Sequence, residues 1–158
     1  SIDPSRIAAH GLSVGGLLVV SAAQFDGNSS VSPIPNALIL YSPILDAEKD
    51  PVVQSLLGEK AQAASISPLL KIRPKMPPTI ILQGDVDTVA PFASAQQFCA
   101  KMKEIGNRCE LNKYMYMGHL FTPKGTPDND KPKPDPRVEA AALVKVDAFL
   151  ASLGYLEK

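Results

Sequence analysis

The sequence predicts an α/β protein: a mainly parallel sheet of about four strands with helices on both faces. Three observations carry this. Short apolar segments recur along the chain, helical patterns lie between them, and the strand-like runs do not alternate apolar with polar residues. Alternating strand and helix builds a parallel sheet through right-handed crossovers, and a strand covered on both faces has no need of a polar side. With 158 residues, 45% of them hydrophobic, the chain can bury one core, so a single domain over residues 1–158 is expected.

The first strand is predicted over Arg6 to His10, a small-residue apolar segment ending at Gly11. A tight turn around Ser13 follows, then Gly15-Gly16 and the helical run Leu17 to Ala23. Asn36 to Tyr41 reads as the second strand, stopped by Ser42-Pro43, and Pro77 to Gly84 as the third. Pro91 to Ile105 reads as a helix, with proline near its first turn, Phe92, Ala95, Phe98 and Met102 on one face, and Gly106 at its end. Glu110 to Met117 gives the fourth strand, and Asp135-Pro136 opens a last helix from Arg137 to Leu153, ended by Gly154. Two stretches stand apart. Ile44 to Leu70 is expected to be a cap-like insertion with helical pieces around Asp50 to Leu57 and Ala61 to Ala64. Thr122 to Pro136, dense in Pro, Gly, Lys and Asp, is expected to be a surface loop that matters only as a pocket rim.

Sixteen Lys and Arg balance sixteen Asp and Glu, with no basic run or stripe, which argues against a nucleic-acid or polyanion binder. The longest apolar runs, such as Ala37 to Tyr41, fall far short of the roughly 20 residues a membrane helix needs. Ser1-Ile2-Asp3-Pro4 has neither the basic start nor the apolar stretch of a signal peptide. The compartment is therefore not legible, and a secreted or periplasmic home stays open. Two cysteines and two histidines are too few and too widely spaced for a metal site, and no cofactor is expected. Cys99 and Cys109 stand late in a helix and at the start of the strand after it. Both a bridge and a pair of buried thiols fit that placement.

Gly11-Leu12-Ser13-Val14-Gly15 is the pattern of a nucleophile elbow, in which glycines let a strained strand-to-helix turn push a serine hydroxyl out at the sheet edge. An ordinary glycine-rich connection would read the same way, but the apolar strand before it and the helix after it strengthen the functional reading. Asp85 and Asp87 follow the third strand, where a carboxylate can reach a histidine over the sheet. Asp87 is the candidate acid, and Asp85 is expected to hold the turn by bonds to its own backbone. Simple turn chemistry would use the same residues. Gly118-His119 follows the fourth strand and supplies the candidate base. A serine hydroxyl is a poor nucleophile until a base takes its proton, and the base needs a carboxylate to fix its tautomer. His10, within the first strand, is expected to be a packed or capped histidine.

Taken together, Ile2-Asp3-Pro4-Ser5-Arg6-Ile7 before Gly-x-Ser-x-Gly-Gly, then Ser67-Pro68-Leu69, then Pro77-Pro78-Thr79-Ile80 leading to Gly-Asp-x-Asp-x-Val-x-Pro, then Gly-His-x-Phe, resemble the esterase/lipase branch of the α/β-hydrolases. The nearest likeness is to acetyl- and feruloyl-esterase-like enzymes related to the prolyl oligopeptidase catalytic domain. The resemblance implies Ser13 as nucleophile, His119 as base, Asp87 as acid and the Val14 amide as one oxyanion donor. Leu12 and Leu120, beside the nucleophile and the base, are the candidate substrate-binding side chains. The implied activity is hydrolysis of small acyl esters through an acyl-enzyme, with acetyl or aromatic acyl groups on carbohydrates among the candidates. A non-catalytic fragment or assembly module and a peptidase of the prolyl oligopeptidase type are the alternatives.

The sequence departs from that pattern in three places. Leu12 and Val14 replace the smaller or polar residues that often flank the serine, and Gln83 stands where many relatives have histidine. The third departure is larger: the chain resembles only the C-terminal half of the fold, without the His-Gly-Gly-type segment that brings a second oxyanion donor. The segment Arg6 to His10 would ordinarily be a central strand and is here expected at an edge. With no lysine or proline in Ile7-Ala8-Ala9 to protect it, that edge is expected to be completed by a second copy in a homodimer, by an N-terminal partner or by an upstream region of the same protein.

Overall fold

The computed structural model describes residues 2–25, 30–57, 60–126 and 131–156. Four strands, β1 (Ala8–Leu12), β2 (Ala37–Tyr41), β3 (Thr79–Gly84) and β4 (Cys109–Tyr114), form one sheet in the order β1-β2-β3-β4, and every pairing is parallel. The helices are α1 (Val14–Ala23), α2 (Pro51–Leu57), α3 (Lys60–Ile66), α4 (Phe92–Glu104) and α5 (Pro136–Ser152). No helix among the described residues is long and apolar enough to cross a membrane.

Side-chain alternation along the two inner strands divides the core in two. Leu38 and Leu40 of β2 and Ile81 of β3 pack with Val20 and Ala23 of α1 and with Phe98 and Met102 of α4. Ala37, Ile39, Ile80 and Leu82 point the other way, onto Ala142, Val146 and Phe149 of α5. Both faces are thus covered, as the missing polar alternation requires. A third cluster docks the segment after β2 on α1: Ile44, Ala47 and Val53 pack with Leu17 and Ala90. Cys99 in α4 and Cys109 at the start of β4 form a disulfide with Cα atoms 5.4 Å apart, which ties that helix to the strand it precedes.

Strand limits differ from the expected ones at six ends, by one residue at the starts of β2 and β4 and by two or three elsewhere. β1 begins two residues late, because the Asp3 carboxylate accepts from the Ser5 amide and from Arg6 Nε and curls the chain as far as Arg6. It then continues through Gly11 and Leu12, which pair with Leu40 and Tyr41. Pro77 and Pro78 bring no amide hydrogen to a ladder, so β3 starts at Thr79. β4 stops at Tyr114 rather than Met117, because Tyr116 turns with φ 59 and gives its amide to Asp85 at 2.6 Å. The loop expected over Thr122 to Pro136 is seen at both ends, and residues 127–130 within it lie outside the described residues.

Candidate active site

The turn from β1 to α1 holds Ser13 at φ 52 and ψ −121, a conformation that L residues rarely adopt. Glycine makes the turn possible. A Cβ on Gly11 would lie 2.6 Å from the Gly15 carbonyl oxygen, and one on Gly16 would lie 2.6 Å from Pro43 Cβ. The space beside Gly15 is open, so Gly11 and Gly16 are the sterically required pair. Backbone bonds lock the turn: the Ser13 amide donates to Tyr41 at 3.0 Å, and its carbonyl accepts from Gly16 at 3.0 Å and Ile44 at 3.1 Å.

His119 enters from the end of β4 on a single 3-10 turn, His119–Phe121, that sequence reading did not anticipate. Its Nε2 lies 2.9 Å from Ser13 Oγ, and its Nδ1 lies 3.0 Å from Asp87 Oδ2. The three polar side chains at three strand ends are therefore joined in one hydrogen-bonded row. Asp87 is 5% exposed, and its Oδ1 accepts from the amides of Val89 at 3.0 Å and Ala90 at 2.8 Å. Those two bonds, with the row itself, hold the carboxylate toward His119. The Val14 amide lies at the first position of α1, where no intrahelical acceptor exists and the helix dipole favours negative charge.

Two further positions support the row and were not singled out as site residues from sequence. Ser42, fully buried with φ 43, accepts the Leu120 amide on its Oγ at 3.0 Å and so pins the 3-10 turn to the end of β2. Its only signal was the Ser-Pro that stops the strand. Gln83, also fully buried, donates from Nε2 to Asp87 Oδ2 at 2.9 Å and to the Ala90 carbonyl at 2.7 Å. Its signal was the departure from histidine at that place. Below the turn, Phe121 packs between Tyr41 and Tyr114, with ring centroids 5.7 and 4.7 Å away. Burial, and secondarily Tyr41, push the Tyr114 phenol up to about 12, so the cluster stays neutral.

Leu12, 46% exposed, and half-buried Leu120 flank Ser13 and His119 in sequence, and Leu120 adopts φ 48. Asp85 does hold a turn, but across the sheet: its carboxylate takes the Tyr116 amide rather than an amide of its own loop. His10 is exposed rather than packed in the interior, because it lies on the edge strand. Its ring rests edge-on against Tyr41 at 5.1 Å, and this partial burial lowers its pKa. Two cavities open near the row. One of about 440 Å³ lies beside His119, rimmed by Thr122, Lys124 and Lys131, and one of about 180 Å³ lies between Ile44 and Pro91. Thr88 and Val89 line both.

A parallel sheet with a strained serine after its first strand, an aspartate after its third and a histidine after its fourth is the arrangement of an α/β-hydrolase. Residues 1–132 match the prolyl oligopeptidase family, and the chain belongs to it. Among solved structures, esterase 2 of Thermogutta terrifontis phosphoramylated by tabun superposes with a TM-score of 0.79 at 31% identity, over 99% of this chain and 58% of that one. The propionate-bound form of the same esterase gives 0.78 at 30% identity, over 99% and 59%. Among curated proteins, a triacylglycerol lipase of Mycobacterium tuberculosis is 32% identical over 90 residues, which is 56% of this chain and 20% of the lipase. The chain thus spans well under two thirds of the length of each of these relatives.

Proposed function

We propose that this chain carries the nucleophile, base and acid of a serine carboxylic ester hydrolase that works through an acyl-enzyme. The observation that supports this best is the continuous row from Ser13 Oγ through the His119 ring to Asp87, at 2.9 and 3.0 Å. In the proposed cycle Ser13 Oγ attacks the ester carbonyl carbon while its proton passes to His119 Nε2, and Asp87 steadies the imidazolium. The oxyanion forms beside the Val14 amide. The C–O bond to the alcohol then breaks, and the alcohol leaves with the proton from His119. Water, deprotonated by the same Nε2, attacks the acyl-serine and releases the acid and free Ser13.

Small acyl groups are the proposed substrates, with acetyl and aromatic acyl esters of carbohydrates included. Support for short chains comes from the similar Thermogutta esterase, which has been seen with propionate and with butyrate bound. The test is intact-mass detection of a covalent adduct after exposure to paraoxon, which phosphorylates that esterase. One adduct on the parent chain and none on Ser13→Ala is expected, together with hydrolysis of p-nitrophenyl acetate. A parent chain that stays unlabelled and inactive would instead favour the non-catalytic reading.

A peptidase is the second reading, favoured by the family that residues 1–132 match. Comparing p-nitrophenyl acetate with a dipeptide p-nitroanilide separates the two. Preference for the amide substrate would overturn the esterase reading.

A further inference from the structure

We infer that Gln83 is a positioning residue for the acid of the row, holding the Asp87 carboxylate in the rotation that His119 requires. The inference rests on the proposed hydrolytic role of that row. Asp87 Oδ1 is fixed by two backbone amides, but among the described residues Oδ2, the oxygen nearer to His119, has only Gln83 Nε2 at 2.9 Å besides the imidazole at 3.0 Å. Without the amide donor, that oxygen would be held only by the imidazole it is meant to orient.

Three features show that the side chain is aimed rather than merely accommodated. Gln83 is fully buried at the end of β3, where an apolar residue would satisfy the core, and Ile81 two residues earlier faces the same way. Its Nε2 makes two bonds, to Asp87 and to the Ala90 carbonyl, and so ties the acid to the turn that feeds α4. Its Oε1 is buried with no hydrogen-bond partner among the described residues, a cost accepted for the sake of the donor. Rotating the amide by half a turn would set an oxygen against two acceptors, so this orientation is the only favourable one. Among the described residues, Asp87 is the only ionisable side chain bonded to Gln83, and Lys124 and Lys131 line the same cavity as His119.

Gln83→Met preserves the volume and removes the donor. The test compares it with the parent in two readouts: the rate of paraoxon labelling, and the NMR resonance of the proton on His119 Nδ1, which is resolvable because His10 is the only other histidine. Labelling is expected to slow by roughly ten- to a hundredfold, the range for losing a hydrogen bond to a charged group, with KM for p-nitrophenyl acetate little changed. The Nδ1 resonance is expected to shift and broaden. A lowered melting temperature with parent-like resonance and labelling would reduce Gln83 to a packing role and overturn the inference. If Gln83→Met does not fold, Gln83→Asn, which withdraws the amide by one methylene, is held to the same criteria. A parent chain inert to paraoxon would defeat the hydrolase reading, while the resonance comparison would still decide the role of Gln83.

Discussion

Ser13 is held where backbone and side chain conflict, at φ 52, and such a residue costs of order 1–3 kcal/mol. Replacing it by glycine removes the conflict. Ser13→Gly is expected to abolish labelling and to stabilise the chain by about 1 kcal/mol in urea unfolding, because glycine's greater freedom when unfolded offsets part of the relief. Ser13→Ala keeps the Cβ and should match the parent in stability while losing activity. Equal stability of the glycine and alanine variants would show that the elbow is unstrained. Asp87→Asn and Asp85→Asn separate two carboxylates that sequence alone places in one short loop. The first lets the amide support the wrong imidazole tautomer, and turnover should fall by roughly ten-thousand-fold. The second weakens the bond to the Tyr116 amide and should cost about 1 kcal/mol of stability with turnover within a few-fold. The reverse ranking in side-by-side kinetics would exchange their roles. At this scale Ser13, Asp87 and His119 were legible as candidates through their glycine and strand context, and the structure joins their side chains in one hydrogen-bonded row. The sequence did not show Ser42 and Gln83 as supports: Ser42 holds Leu120, 78 positions away, and Gln83, though only four positions from Asp87, gains its worth from where His119 arrives.

Elements were legible where apolar runs are long, and their ends were not, because side-chain bonds, some local and some across the sheet, set the ends. The Asp3 turn delays β1, the Asp85–Tyr116 bond shortens β4, and the 3-10 turn at His119 is imposed by Ser42 above and Phe121 below. Phe121 is 2% exposed at φ 62, so its ring is the anchor that makes this strained turn persist. Phe121→Ala is expected to cost about 3–5 kcal/mol and to slow paraoxon labelling, because the turn loses its hold on Tyr41 and Tyr114. Parent-like stability in a denaturant titration would show that the aromatic cluster does not carry the turn. The bridge between Cys99 and Cys109 was left open by sequence, since helix and strand can pack with or without a bond. It closes a loop with a separation of 10, and its removal in the Cys99→Ser, Cys109→Ser pair should lower stability by about 2–3 kcal/mol in the chain-entropy account. Neither cysteine bonds to a member of the Ser13–His119–Asp87 row among the described residues, so labelling by paraoxon in the folded double variant is expected to stay at the parent rate.

For the whole molecule, the unresolved balance lies at β1. Among the described residues only β2 pairs with it, and its other side presents backbone amides and carbonyls with no strand opposite. The residues around that side are apolar: Ile7 is 46% exposed, Leu18 of α1 is 63% exposed, and a groove of about 360 Å³ runs beside them toward Pro33 and Pro35. Edge strands left flat, short of charge and next to apolar surface pair with other chains, and β1 has neither lysine nor proline to prevent it. A second copy related by a two-fold axis can occupy that side in residues 1–158 by themselves, since β1 can then run antiparallel to its own image and extend four strands to eight. The chain of residues 1–158 on its own is therefore expected to show a dimer mass in light scattering at low micromolar concentration, with slow amide exchange along β1. Ala9→Pro, which removes an edge amide and adds the residue that natural edges use for protection, should return it to a monomer. A monomeric parent with fast exchange over Ala8–Leu12 would show that the edge stands uncovered, and that the apolar strip beside it is tolerated rather than used.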